Sequence, residues 1–141
     1  MKEKAKEYLQ QVNKLDKMIS NKLIEVEQWK AIATGTTAAS DGERVKASGN
    51  QKKMENAICR YTVIEEEINR HMDEMIKTKK DVICTIEQLP VMEYDLLHHV
   101  YIQGMTLDEV AYMNDKSYSW ATTVHGRALQ HVQEILDRRA G

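Results

Sequence analysis

The chain has 141 residues, of which Lys, Arg, Asp and Glu make up 30%, and it contains no Phe. This composition favours helices over strands and predicts an all-α protein. The formal net charge of −2 excludes a polycationic protein that coats nucleic acid through charge alone. No apolar run approaches the roughly 20 residues that cross a bilayer, and the N-terminus has no hydrophobic signal core. We therefore expect a cytoplasmic protein with no membrane partner.

Motifs for catalysis and metal binding are missing from the sequence. The five histidines form neither an HExxH nor an HxxxH pair, and the side chains of His98 and His99 point about 100° apart on a helix. Cys59 and Cys84 lie 25 residues apart without a CxxC pair, which is typical of reduced cysteines in the cytoplasm. Walker, Rossmann and nucleophile-elbow motifs are also absent. We expect no enzyme activity, no cofactor and no metal.

The first predicted element is a long helix from Lys2 to about Ile32. Its apolar residues repeat every seven positions, which is the pattern of a coiled coil. Lys22 interrupts one of the two repeating positions, and Leu9 and Leu23 widen the stripe. The expected seam consists of Ala5, Val12, Ile19 and Val26 at one position and Tyr8, Leu15 and Trp29 at the other.

A second long helix is predicted from Gln51 to Gln88. The segment before it, residues 34–50, is rich in Gly, Ser, Thr and Ala, which is typical of an exposed loop. Because this loop is long enough to reverse the chain, we expect residues 1–89 to form an antiparallel coiled-coil hairpin. The expected stripe on the second helix consists of Met54, Ile58, Tyr61, Ile64, Ile68, Met72, Met75, Val82, Ile86 and Leu89.

Pro90, the only proline, marks the predicted start of a C-terminal domain at residues 90–141. A proline cannot continue a helix but readily begins one. Three helices are predicted after it, spanning about 92–102, 107–113 and 118–138.

Capping residues separate the last two of these helices. Thr106 and Glu109 fit a capping box, and Ser117 is placed to cap the final helix after the polar turn 114–117. A short capped helix, a four-residue turn and a longer helix predict a helix-turn-helix, with Ala111 as the small residue where the two helices approach.

The same segment carries a recognisable motif. It reads Leu89-Pro90-x-x-Glu93-x-x-Leu96-Leu97-x-x-x-Tyr101-x-x-Gly104-x-Thr106-Leu107-x-Glu109-Val110-Ala111, followed by Ser117 and by Ala128-Leu129. Residues 89–129 resemble region four of bacterial sigma factors without a gap. The resemblance implies a domain that reads double-stranded DNA and contacts RNA polymerase.

Over nearly its whole length the chain is also similar to phage-encoded regulators of the ArpU/RinA type. The similarity includes the segments 29–34 and 45–49, together with Ser117-Tyr118 and 125–129. It implies a regulator of phage late or packaging genes that acts in the cytoplasm of the bacterial host.

We expect the DNA-contacting side chains to lie on the exposed face of the last helix and at the caps. Arg127 can bind a phosphate or a guanine edge, and a threonine methyl can contact thymine. The alternative is that Trp120 and Tyr118 pack against the long helices while Arg127 makes a surface ion pair. The predicted DNA-binding residues are Thr106, Lys116, Ser117, Tyr118, Ser119, Trp120, Thr122, Thr123 and Arg127.

The charge of this segment bears on its oligomeric state. Residues 91–141 hold four Lys or Arg against seven Asp or Glu, so a monomer should bind DNA weakly. A homodimer would join two half-sites and compensate for this. The final helix is longer than a helix-turn-helix requires, and its extra apolar stripe packs either on the long helices or on a second subunit. That stripe is Val124, Ala128, Val132, Ile135 and Leu136.

Two functions of other classes stay open at this point. A small terminase subunit, which packages DNA, also joins a helix-turn-helix to coiled-coil helices, and a ring-shaped oligomer would indicate it. The acidic C-terminal domain also suits a protein-interaction module, an adaptor or an anti-sigma-like factor, that has lost DNA binding.

Overall fold

A computed structural model describes residues 4–35 and 47–141. Within these ranges the chain is all-α and contains no strand, as the composition predicts. The elements are α1 (Ala5–Thr34), α2 (Ala47–Ile86), α3 (Val91–Leu97), a π-helical turn (His98–Ile102), α4 (Leu107–Met113) and α5 (Tyr118–Ala140).

The described residues divide into two compact units, one of which comprises residues 16–35 and 47–74. In this unit α1 and α2 pack along a seam, as the hairpin prediction requires. The Lys22 Nζ lies 3.4 Å from a Glu67 carboxylate oxygen. Further along α1, the Lys30 Nζ lies 5.6 Å from the centre of the Tyr61 ring, which is earlier in α2 than Glu67. The two helices therefore run antiparallel. The buried seam residues are Ile19, Val26, Ala33, Ala57, Ile64 and Ile68.

The apolar stripe predicted for α2 is wrong at two positions. Ile58 and Met72 are 43% and 47% exposed, whereas Ala57 is fully buried. The seam follows the seven-residue step from Ala57 to Ile64 and His71, so Ile58 and Met72 each lie one residue, about 100°, past it.

The predicted loop at residues 34–50 is also too long. Thr34 belongs to α1, and α2 begins at Ala47, so residues 47–50 are helical. Relative to Ala, Ser, Gly and Asn each cost roughly 1 kcal/mol or less inside a helix. Adding a residue to the end of an existing helix forms one more backbone hydrogen bond, which offsets this cost. Residues 36–46 of the predicted loop lie outside the described residues.

The second compact unit comprises, among the described residues, 4–15 and 75–141. Its core joins the beginning of α1 and the end of α2 to the C-terminal helices. Leu9, Val82 and Ile86 are buried in the same cluster as Val124 and Val132 of α5. The extra apolar stripe of α5 therefore packs on the long helices of its own chain, which is the first of the two alternatives.

A helix boundary lies at Leu89-Pro90, as predicted. After α2 ends at Ile86, Pro90 precedes α3 as its N-cap, with φ −53° and ψ 148°. The compact unit nevertheless continues across this boundary, since Val82 and Leu96 share one core. The division into domains at residues 1–89 and 90–141 stays a prediction.

The helix predicted for residues 92–102 is present over that range, but its second half has a different hydrogen-bond pattern. The chain changes at His98 from α-helix to a π-helical turn, in which the Gln103 amide donates to the His98 carbonyl over 3.0 Å. π-Turns inside helices shift the side chains that follow by about one position. Tyr101 is buried while Val100 is only half-buried, and Gly104 ends the turn with φ +77°.

A polar cluster ties the end of α5 to both long helices. The Tyr8 hydroxyl donates to the Asp81 carboxylate and lies 2.8 Å from the Thr85 hydroxyl. Arg139 donates from Nη2 to the Thr85 hydroxyl over 2.6 Å and from Nη1 to Asp81 over 3.3 Å. These contacts join three helices at one point, which holds α5 in a fixed register.

Candidate nucleic-acid interface

The N-terminus of α4 carries the predicted capping box. The Thr106 hydroxyl accepts a hydrogen bond from the Glu109 amide over 3.2 Å, and the Glu109 carboxylate accepts from the Thr106 amide over 3.3 Å. Thr106 is exposed but its hydroxyl also donates to Glu109 over 3.0 Å. The hydroxyl hydrogen of Thr106 is thus already used within α4.

The turn between α4 and α5 is closed by backbone hydrogen bonds. The Lys116 amide donates to the Ala111 carbonyl over 2.8 Å, and the Asp115 amide donates to the Tyr112 carbonyl over 3.1 Å. This pair of bonds is a Schellman motif, which places Asp115 in the left-handed region with φ +55°. The Asn114 side chain adds a bond to the Val110 carbonyl over 2.8 Å.

Ser117 caps α5, as predicted from its position. Its hydroxyl oxygen accepts a hydrogen bond from the Trp120 amide over 3.1 Å. Ala111 of α4 and Ala121 of α5 are both buried, so small side chains line the point where the two helices meet. The predicted helix-turn-helix is therefore present in residues 107–140.

Polar side chains form the face of α5 opposite the core, which we call the outward face. It consists of exposed Ser119, Thr123 and Gly126, with half-buried Thr122 at its edge. Thr122 and Thr123 each donate a hydrogen bond to the Ser119 carbonyl over 2.9 Å. Because their hydroxyl hydrogens are used in this way, these threonines present methyl groups and oxygen lone pairs to a ligand.

Trp120 and its neighbours on α5 have different surroundings. Trp120 is half-buried against the core and lines a cavity of about 370 Å³ together with Met92 and Leu96 of α3. Tyr118 is 55% exposed, and Lys116 is exposed at the edge of the same cavity. Of the two aromatic residues predicted to read DNA, only Tyr118 has most of its side chain free.

Arg127 belongs to a cluster around a buried carboxylate. Glu93 is 5% exposed, and its carboxylate lies 2.6 Å from His131 Nδ1 and 3.9 Å from Arg127 Nε. The Arg127 side chain is still 55% exposed. The ion pair predicted as one alternative for Arg127 is therefore present, and it leaves the guanidinium open to solvent.

A second pair on α5 was not found from the sequence. The Tyr101 hydroxyl lies 2.7 Å from His125 Nε2, and the two rings stack with their centroids 5.8 Å apart. Burial raises the pKa of Tyr101 to about 12. Burial lowers the pKa of His125, and the positive charge of Lys6 lowers it further. Tyr101 lies within the π-helical turn, and no local sequence signal predicts that turn.

Within residues 4–35 and 47–141 no group of three His, Cys, Asp or Glu side chains could hold a metal ion. Cys59 and Cys84 are exposed free thiols. Among the helices that the structure describes, none is both long and apolar enough to cross a membrane.

Fold and site together define an all-α protein with a helical hairpin and a C-terminal helix-turn-helix. A family model described as "Protein of unknown function (DUF1492)" matches residues 37–133, which is more than half of the chain. The chain therefore belongs to the DUF1492 family. No curated protein and no solved structure matches it significantly.

Proposed function

We propose that this protein is a sequence-specific transcriptional regulator that reads double-stranded DNA with α5. The observation that carries the proposal is the pair of capped helices around a closed four-residue turn, with a polar outward face on the second helix. In a helix-turn-helix the second helix lies in the major groove and the first helix crosses the phosphate backbone. The sequence resemblance to sigma region four supports the same orientation.

The outward face supplies groups of the kinds that read base edges. Methyl groups of Thr122 and Thr123 suit thymine, and the Ser119 hydroxyl suits either a donor or an acceptor on a base. Arg127, beside this face, suits a phosphate or a guanine edge. Lys116 and Tyr118 are exposed at the start of α5, and in this proposal they position the helix on the DNA backbone.

Three narrower statements belong to the proposal. The resemblance to phage regulators supports control of phage late or packaging genes in the cytoplasm of a bacterial host. The sigma resemblance supports contact with RNA polymerase. The acidic charge of residues 91–141 supports a homodimer on two half-sites. Because the α5 stripe is buried within the chain, the dimer contact would lie elsewhere, for example at exposed Leu23 and Ile24 on α1.

Binding of genomic fragments by the purified full chain tests this function. We expect a discrete fragment to be retained in low and moderate salt by the natural protein. The double variant Ser119→Ala, Thr123→Ala and the variant Arg127→Ala should lose that fragment. Arg138→Ala is the matched control, because Arg138 is exposed and lies eleven residues, about 16 Å, further along α5. Uniform retention that ignores these substitutions and disappears in modest salt would contradict sequence-specific reading.

One observation favours a second candidate, a protein-interaction module. The side chains of Val91, Met92, Tyr112 and Met113 are 81%, 51%, 86% and 48% exposed in the C-terminal helices. Exposed apolar patches often mark protein contacts. Salt-insensitive binding of a polymerase subunit, lost in Val91→Asp and Met92→Asp, with no retained DNA fragment, would favour this candidate.

A further inference from the structure

The helix-turn-helix lacks the cations that DNA binding usually needs. Residues 91–141 hold four basic residues, namely Lys116, Arg127, Arg138 and Arg139, against seven acidic ones. Two of the four already face carboxylates, since Arg127 lies 3.9 Å from Glu93 and Arg139 lies 3.3 Å from Asp81. Phosphate neutralisation supplies most of the affinity of such domains, so further cations must come from elsewhere in the chain.

The first turn of α1 lies against α5 and brings lysines with it. The Ala5 amide donates a hydrogen bond to Gln133 Oε1 of α5 over 2.8 Å. Ala5 itself is buried in the same core cluster as Val132. Lys4 and Lys6, on either side of Ala5, are both exposed. The packing of α1 therefore fixes two lysines close to the middle of α5.

The first turn of α1 packs on a flank of α5 away from Arg127. Gln133, which accepts the hydrogen bond from the Ala5 amide, is six residues after Arg127 and therefore lies about 120° from it around the helix. The positive charge of Lys6 also contributes to the lowered pKa of His125 on α5. His125 and Arg127 are two residues apart, which is about 200° around the helix. The outward face of α5 is thus bordered by Lys6 on one side and by Arg127 on the other.

We propose that Lys6 is a phosphate-contacting residue of the DNA interface, contributed by the first turn of α1; this inference rests on the proposed function. A helix in the major groove, which is about 12 Å wide, lies between two phosphate backbones. Cations on both flanks of the helix match those two backbones. The matched family segment begins at residue 37, so this contact would come from outside it.

The charge balance of the compact unit supports the inference. Residues 4–15 hold three lysines and one acidic residue, and residues 75–90 hold three lysines and two acidic residues. Together they offset the excess of three negative charges in residues 91–141. The ends of the long helices therefore make neutral a domain that is acidic by itself, and Lys6 directly follows the residue of α1 that is hydrogen-bonded to α5.

The salt dependence of DNA binding tests the role of Lys6. On the retained fragment and on a scrambled duplex, Lys6→Ala should make the negative slope of log K against log salt less steep by about 0.9. This is the change expected for the loss of one phosphate contact. Lys6→Arg should keep the natural slope. Lys17→Ala is the matched control, since Lys17 is exposed and lies eleven residues, about 16 Å, further along α1.

Placement and DNA contact are measured separately. In an NMR titration of the free protein, Lys6→Ala should raise the pKa of His125, whereas Lys17→Ala should leave it unchanged. An unchanged His125 titration in Lys6→Ala would overturn the placement and with it the inference. A salt slope equal in Lys6→Ala, Lys17→Ala and the natural protein, with the fragment still lost in Arg127→Ala, would overturn the inference but not the proposed function. A natural protein that retains no DNA would overturn both.

Discussion

Removing the hydroxyl of Tyr8 tests how α5 is held on the long helices. Tyr8 is 4% exposed, and its hydroxyl contacts Asp81 and Thr85. In Tyr8→Phe, Thr85 keeps its bonds to Arg139 and to the Asp81 carbonyl, so no buried polar group is left unpaired. The loss should therefore be that of an ordinary hydrogen bond, about 1 kcal/mol of unfolding free energy.

This loss converts to a measurable shift in Tm. With an unfolding entropy of about 2.1 cal/mol/K per residue, a chain of 141 residues shifts by about 3 °C for each 1 kcal/mol. Tyr8→Ala, which also removes a ring from the core, should cost about 3–5 kcal/mol. Circular dichroism at neutral pH is a suitable measurement, because burial and the nearby Asp81 raise the pKa of Tyr8 and keep it protonated.

A double-variant cycle separates the hydroxyl network from simple packing. Tyr8→Phe and Thr85→Val should be non-additive by about 0.5 kcal/mol or more, because the two hydroxyls share a hydrogen-bonded cluster. Additive effects, or a Tm unchanged in Tyr8→Phe, would refute the role given to this cluster. A loss in Tyr8→Phe as large as in Tyr8→Ala would refute the claim that Thr85 keeps its other partners.

Three other predictions concern the helix-turn-helix and its supports. His131→Ala should lower the free energy of unfolding by about 2 kcal/mol and Arg127→Ala by about 1 kcal/mol or less, because His131 lies 2.6 Å and Arg127 3.9 Å from buried Glu93. Equal losses of stability in thermal melts would contradict the geometry. Tyr101 has its pKa raised to about 12, so its contribution is complete below pH 10 and is lost as the pH rises to about 12. Alkaline denaturant titrations should show less destabilisation in Tyr101→Phe, and identical pH profiles would count against burial of this phenol. Asp115→Val should cost about 1–2 kcal/mol at φ +55°, whereas Asp115→Gly should be nearly neutral by urea unfolding, and a harmless Asp115→Val would contradict the Schellman turn.

Features that depend on nearby residues could be predicted from the sequence. The caps of α4 and α5 rest on residues three positions apart, so Thr106 with Glu109, and Ser117, were identified correctly. The hairpin follows from a seven-residue repeat that the structure retains through Ile19, Val26 and Ile64. Individual seam positions were predicted less accurately, because Ile58 and Met72 lie next to the seam and are as apolar as the residues that form it.

Features that depend on distant residues could not be predicted. Tyr101 lies in the π-helical turn and contacts His125, which is 24 residues away, and nothing in residues 98–102 predicts that turn. The burial of Glu93 depends on His131, 38 residues away. Lys6 follows Ala5, whose amide is hydrogen-bonded to Gln133 of α5, 128 residues away in sequence. The motif in residues 89–129 therefore does not predict that Lys6 belongs to the DNA interface.

Gly126 offers the most direct measurement of whether the outward face of α5 binds DNA. It is exposed and helical, and a Cβ there would meet no atom within 4 Å. Gly126→Ala and Gly126→Glu should both stabilise the fold by about 0.5–1 kcal/mol, since both residues favour helix over Gly. Gln28→Glu, at an exposed position of α1, is the control for net charge.

The measurement is the affinity of these variants for the DNA fragment that the natural protein retains. We expect Gly126→Glu to lose at least tenfold in affinity while its Tm rises, because a carboxylate on the outward face would oppose the phosphates. Gln28→Glu should bind like the natural protein. An affinity unchanged in Gly126→Glu would contradict the claim that this face of α5 reads DNA.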